Sequence, residues 1–185
     1  MSETPKQNIW EFNTRQVVYG AIGAALYGVL SWVTNAFPLP AAGNITFRPA
    51  VAVLIFFGIA FGPWVGLISG LLGNVLGDAI SGFGFWWHWS LGNGIIGLIA
   101  GLVILYVKDY RKPKDIAIAA GAGIVGNVVG MLFASVIEKL TGGIDWATAL
   151  GGYWAPAVIG NTLVTIILLP ILMVAYAAVV ARRSR

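Results

Sequence analysis

The chain's eighteen charged side chains lie mostly at its two ends and in one loop around Lys108, and the runs between them are long and apolar. Charged residues make up 10% of the sequence, against roughly 25% in a soluble domain. So little charge cannot cover the surface of a soluble globule of 185 residues. A disordered chain is excluded as well, because it needs low hydrophobicity and high net charge, whereas 58% of these residues are hydrophobic. The sequence therefore reads as an integral membrane protein, a single transmembrane domain over residues 1–185. It leaves no room for a separate soluble catalytic or nucleic-acid-binding domain. Met1 to Asn13 is polar and lacks the apolar run and cleavage site of a signal peptide. The first apolar segment is accordingly expected to stay in the mature protein.

Hydrophobic runs and their punctuation predict six helices, at about residues 14–36, 49–61, 63–78, 90–107, 115–139 and 153–181. Asn13 or Thr14 suits the first N-cap, Pro49 suits a first helical turn, and Gly62-Pro63 separates the second helix from the third. The second and third segments are short. At 1.5 Å per residue they reach only about 20–24 Å, against about 30 Å of hydrocarbon. They read either as steep, half-buried spans or as a re-entrant hairpin. Basic residues decide in favour of spans. With six crossings, Lys6, Arg15, Lys108, Arg111, Lys112, Lys114, Arg182, Arg183 and Arg185 share one face, and only Arg48 and Lys139 fall on the other. Nine against two satisfies the positive-inside rule. The expected fold is an all-α bundle of six transmembrane helices with both termini cytoplasmic.

The same orientation sorts the polar and aromatic residues. Trp86, Trp87, Trp89, Trp146 and Trp154 fall at the outer side, Trp32 in the outer half of the first helix, and only Trp10 and Trp64 at the inner side. An interfacial belt is expected at both faces, so this one-sidedness points to a surface on which a ligand ring stacks, or else to an asymmetric belt. Ionisable groups at membrane depth usually face a cavity or a partner. Arg48, Asn74, Asp78, His88, Asn93, Tyr153 and Asn161 all land in the outer half from different segments. Asn74 and Asp78 are four residues apart and share a helix face. Arg48 and Asp78 also suit a buried pair, and the asparagines suit interhelical hydrogen bonds. Gly-Asn recurs at Gly73-Asn74, Gly92-Asn93, Gly126-Asn127 and Gly160-Asn161, a pattern that fits close helix packing. In the first helix, Gly20, Ala24 and Gly28 form one line of small residues and Ala21 and Ala25 an adjacent one. Such a stripe serves packing within the bundle or docking of another subunit.

Several chemistries lack their residues. There is one histidine and no cysteine. No metalloprotease, nucleophile-elbow or P-loop motif occurs. No cofactor, no metal site, no covalent chemistry and no ATP hydrolysis are expected.

The chain resembles the substrate-binding S components of energy-coupling factor (ECF) vitamin transporters, of the riboflavin type. The likeness covers nearly the whole chain. It rests on Ala21-x-x-x-Ala25, on Arg48-Pro49-Ala50, and on Phe61-Gly-Pro-Trp-Val-Gly-Leu-Ile-Ser-Gly-Leu-Leu-Gly-Asn-Val-Leu-Gly-Asp78. Trp86-Trp87-His88-Trp89 and Gly92-Asn-Gly-Ile-Ile-Gly-Leu-Ile-Ala-Gly101 continue it. Asn74 departs from the pattern, standing where a histidine would be expected. The resemblance implies a prokaryotic plasma-membrane subunit that binds a vitamin or precursor from outside. Riboflavin, a thiamine precursor, cobalamin and a modified purine all fit a planar heterocycle. It would dock through Gly20, Ala21, Ala24, Ala25 and Gly28 onto a transmembrane coupling protein carrying two cytoplasmic ATPases. The expected substrate contacts are Arg48, Asn74, Asp78, Trp86, Trp87, His88, Trp89, Asn93, Tyr153, Trp154 and Asn161. A stand-alone small-solute transporter or channel is the alternative; it would need polar residues along the whole path, and the inner half supplies few.

Overall fold

The computed structural model describes residues 9–42 and 45–183. Lys6 and Arg185, two of the basic residues assigned to one face, lie outside them. Six α-helices follow in order: α1 (Thr14–Thr34), α2 (Val51–Phe61), α3 (Pro63–Ser81), α4 (Trp87–Gly101), α5 (Pro113–Gly142) and α6 (Ala155–Arg183). A 3₁₀ turn, Leu102–Leu105, extends α4, and a π-helical turn, Thr148–Trp154, leads into α6. Five segments are long and apolar enough to cross a membrane; α2 is the short one.

Local chemistry accounts for the boundaries. The Asn13 side chain accepts from the Arg15 N–H at 2.9 Å and Gln16 bonds back to the Asn13 N–H, which closes a capping box on α1. Pro113 opens α5 in its first turn, where its missing N–H costs nothing. Two expectations need correction. The third helix does not stop at Asp78; it runs to Ser81 and ends on Gly82, whose φ of 73° is the left-handed turn that glycine adopts freely. Its 19 residues reach about 28 Å, so α3 is not a short segment. The fourth helix begins at Trp87 rather than Ser90, so the tryptophan-rich stretch is its first turn and not a loop.

Helix α1 packs on α3, α3 on α4, and α4 on α5, while α2 stands in the middle against α1, α3, α4 and α6. Apolar on every side, α2 is nearly all buried, as its central place requires. The α3–α4 seam is tight: a Cβ on Gly66 or Gly97 would strike the other's backbone carbonyl. Aromatic contacts define one end of the bundle. Trp10 meets Trp64, Tyr19 stacks on Phe61 at 4.4 Å, and Phe61 and Tyr110 both meet Tyr176. The start of α1, the α2–α3 junction, the Lys108 loop and the late part of α6 therefore lie together. In that loop, burial beside Tyr176 pushes the Tyr110 hydroxyl up to about 12. Arg48, Asp78, Glu138 and Tyr153 gather at the opposite end, around a single cavity.

Candidate ligand-binding site

The site grows from a buried polar network. Arg48 precedes α2, and its guanidinium reaches across to α1 and α3. Nε donates to Asn35 Oδ1 at 3.2 Å and Thr46 Oγ1 at 3.1 Å, Nη1 to Asn74 Oδ1 at 2.6 Å, and Nη2 to Asp78 Oδ1 at 3.1 Å. Asn74 Nδ2 donates to Asp78 Oδ2 at 2.7 Å and to Ser90 on α4 at 3.2 Å. Asn93 Nδ2 then donates to Asn74 Oδ1 at 3.1 Å, and Tyr27 on α1 donates to Asn93 Oδ1 at 2.8 Å. Four segments are thus wired together by side chains that are nearly all buried. Such a network is favourable only when each member is satisfied, because an unpaired polar group in low dielectric is costly.

A second cluster faces it. His88 Nε2 lies 2.6 Å from Glu138 Oε2, and Trp89 Nε1 donates to the same oxygen at 3.1 Å. The Trp89 and Tyr153 rings sit 5.8 Å apart, tilted by 35°. Between network and cluster lies a cavity of about 140 Å³. Arg48, Asp78, Trp86, Trp89, Asn93, Tyr153 and Asn161 line it together with Thr46, Val51, Phe83, Met131 and Glu138. The segment before α2 closes over one side: Leu39 pairs with Ile45, and Ala42 N–H donates to Gly152 O at 2.9 Å.

The expected contacts divide into three groups. Seven line the cavity as above. Asn74 and His88 stand behind it and hold Arg48, Asp78 and Glu138 in place. Trp87 is 48% exposed, and Trp154 spends its N–H on Val128 O at 3.2 Å; neither lines the cavity. Glu138, Tyr27 and Thr46 escaped the sequence reading. Glu138 had a signal, being a carboxylate inside an otherwise apolar helix, but it stands beside Lys139 and so reads as a helix-end charge pair.

The small-residue stripe also divides. Gly20, Ala24 and Gly28 are buried, the two glycines against Ile68, Gly73 and Leu76 of α3, so this line serves packing within the bundle. Ala21 and Ala25 remain on the exposed face of α1. Among the described residues, no group of three or more His, Cys, Asp or Glu side chains is placed to hold a metal ion.

A concave site with aromatic walls and a few fixed polar groups is how small molecules are bound and oriented. Comparison with known proteins agrees with a binding role. The family model for the S component of ECF-type riboflavin transporters matches residues 11–178. A UPF0397 protein of Vibrio atlanticus (strain LGP32) is 40% identical over 134 residues, covering 70% of this chain and 72% of the relative. A match over nearly the whole chain, on an all-helical membrane protein with this cavity, leaves one assignment: the chain belongs to the ECF-type riboflavin transporter S-component family.

Proposed function

We propose that this chain is the substrate-binding subunit of an ECF-type importer in a prokaryotic plasma membrane, capturing a vitamin or vitamin precursor from outside. The observation that carries the reading is the cavity, whose Trp86, Trp89 and Tyr153 rings face the fixed polar groups of Arg48, Asp78 and Asn93. Rings of this kind favour offset stacking with a flat heterocycle. The cavity lies at the end of the bundle opposite the Lys108 loop and the end of α6, which are its most basic segments. With those segments cytoplasmic, the site opens outward, the direction from which a substrate arrives. Transport is driven by a transmembrane coupling protein and two cytoplasmic ATPases, docked on the exposed Ala21–Ala25 face of α1.

Ligand titration by tryptophan fluorescence on the purified protein tests the site. Trp89→Ala should weaken binding at least about ten-fold, the sum of a lost ring face and a lost hydrogen bond to Glu138. Asn127→Ala is the control, since Asn127 bonds Thr165 away from the cavity. Equal loss in both variants would refute the site. Ala21→Trp combined with Ala25→Trp should abolish uptake and partner association while ligand binding persists. Loss of binding as well would show that this face serves the fold of the subunit itself.

A further inference from the structure

The charges around the cavity do not balance. Two carboxylates line it, Asp78 and Glu138, and one cation, Arg48. Arg48 is committed, since every guanidinium nitrogen already donates within the network and Asp78 is its ion partner. Glu138 has no such partner. Its side chain is only 13% exposed, yet no Lys or Arg among the described residues pairs with it. Lys139, the next residue, turns away to sit over the Trp146 ring at 5.4 Å. The remaining contact is His88, whose Nδ1 is buried and without a hydrogen-bond partner among the described residues. The contacts to Glu138 Oε2 are thus an imidazole nitrogen and an indole N–H, and no permanently charged cation among the described residues stands against this carboxylate.

Resting on the binding-subunit reading, we propose that the cavity selects a planar heterocycle bearing a positive charge, seated with that charge against Glu138 and its ring against the paired Trp89 and Tyr153. A nearly buried carboxylate with no permanently charged partner is expensive at membrane depth, and a cationic ligand lowers that cost on binding. The walls favour the same choice: a cation over a tryptophan or tyrosine face is attracted by the ring's negative quadrupole, more strongly when water is excluded. An anionic ligand meets two carboxylates and a single guanidinium already paired with one of them. A neutral heterocycle stacks on the rings but leaves Glu138 as it was.

The matched probes are thiamine, whose thiazolium ring is cationic, and 3-deazathiamine, the same shape with an uncharged ring; riboflavin serves as a larger neutral ring. Each is titrated into the purified protein by tryptophan fluorescence. Thiamine should bind at least ten-fold more tightly than its uncharged isostere. Glu138→Gln, which keeps the shape and removes the charge, should abolish that preference, and Glu138→Asp should retain part of it. Equal binding of the isosteres, or a preference that survives Glu138→Gln, overturns the proposal. Binding of riboflavin without thiamine overturns it too, but leaves the binding-subunit reading intact. If none of the three compounds binds, the proposal falls, and the binding-subunit reading passes to the other vitamins and precursors.

Discussion

Asp78 Oδ1 accepts from Arg48 and Oδ2 from Asn74, so the carboxylate has a donor on each oxygen while only 5% of the residue is exposed. Removing one member of a buried pair strands the other, and Asp78→Ala or Arg48→Ala alone should each cost about 3–5 kcal/mol. Replacing both by apolar residues of similar size, as in Arg48→Met with Asp78→Leu, removes both charges from the low-dielectric interior. The double variant should therefore unfold at a higher temperature than either single one, although it binds ligand poorly. If the double variant is as unstable as the sum of the singles, the network is not a charge pair in the sense argued. At this scale the sequence was informative about polar groups that stand alone in apolar surroundings. Arg48, Asp78 and Asn93 announced themselves that way, and each lines the cavity. Glu138 did not, because its position opposite His88 depends on how α5 slides along α4. That register is set where Gly92 meets Gly130, a contact between two helices that no single-helix pattern contains.

Helix boundaries determine which ring reaches the cavity. With α4 beginning at Trp87, Trp89 and Asn93 are four residues apart and share a face. Trp87 lies two residues from Trp89, some 200° around the helix, and points elsewhere. Reading residues 79–89 as a loop concealed that distinction. The small-residue lines of α1 posed the same difficulty: Gly20-Ala24-Gly28 and Ala21-Ala25 are equivalent in sequence, and only α3 chooses between them. The glycine seams yield a test of packing. A Cβ on Gly97 meets the immovable backbone of Gly66, whereas a Cβ on Gly121 meets nothing within 4 Å. Gly97→Ala should cost at least the about 1–3 kcal/mol of an overpacked core. Gly121→Ala should instead stabilise by about 0.5–1 kcal/mol, since alanine restricts the unfolded chain and suits a helix. Thermal unfolding in one detergent checks both; similar shifts in the same direction would mean that the α3–α4 contact yields more than the structure implies.

Over the whole molecule, the polarity of the two ends is the property that function requires. One end gathers the beginning of α1, the Lys108 loop and the late turns of α6; the other holds the cavity. The sequence carried this division in its basic residues, because positive charge is retained on the cytoplasmic side and the retained residues cluster in a few segments. It did not carry the length of α3, which ends only at Gly82, so that helix read as short and the basic residues alone argued against a re-entrant hairpin. With α3 long enough to cross alone, the short α2 runs from the cavity, which Val51 lines, back to Phe61 at the basic end. Its 11 residues cover about 16 Å, tolerable because neighbouring helices rather than lipid surround it. The chain contains no cysteine, so one introduced thiol gives a label without background. Asp145→Cys lies between α5 and the π-helical turn at the cavity end, and Lys112→Cys lies in the basic loop. In intact cells a membrane-impermeant maleimide should label Asp145→Cys and leave Lys112→Cys unmodified until the membrane is permeabilised. The reverse pattern would turn the cavity toward the cytoplasm, where it could not capture an external substrate, and would invert the positive-inside assignment. Labelling of both sites in intact cells would put Lys112 and Asp145 on the same side, so α5 would not cross between them, and the six-span arrangement would fail.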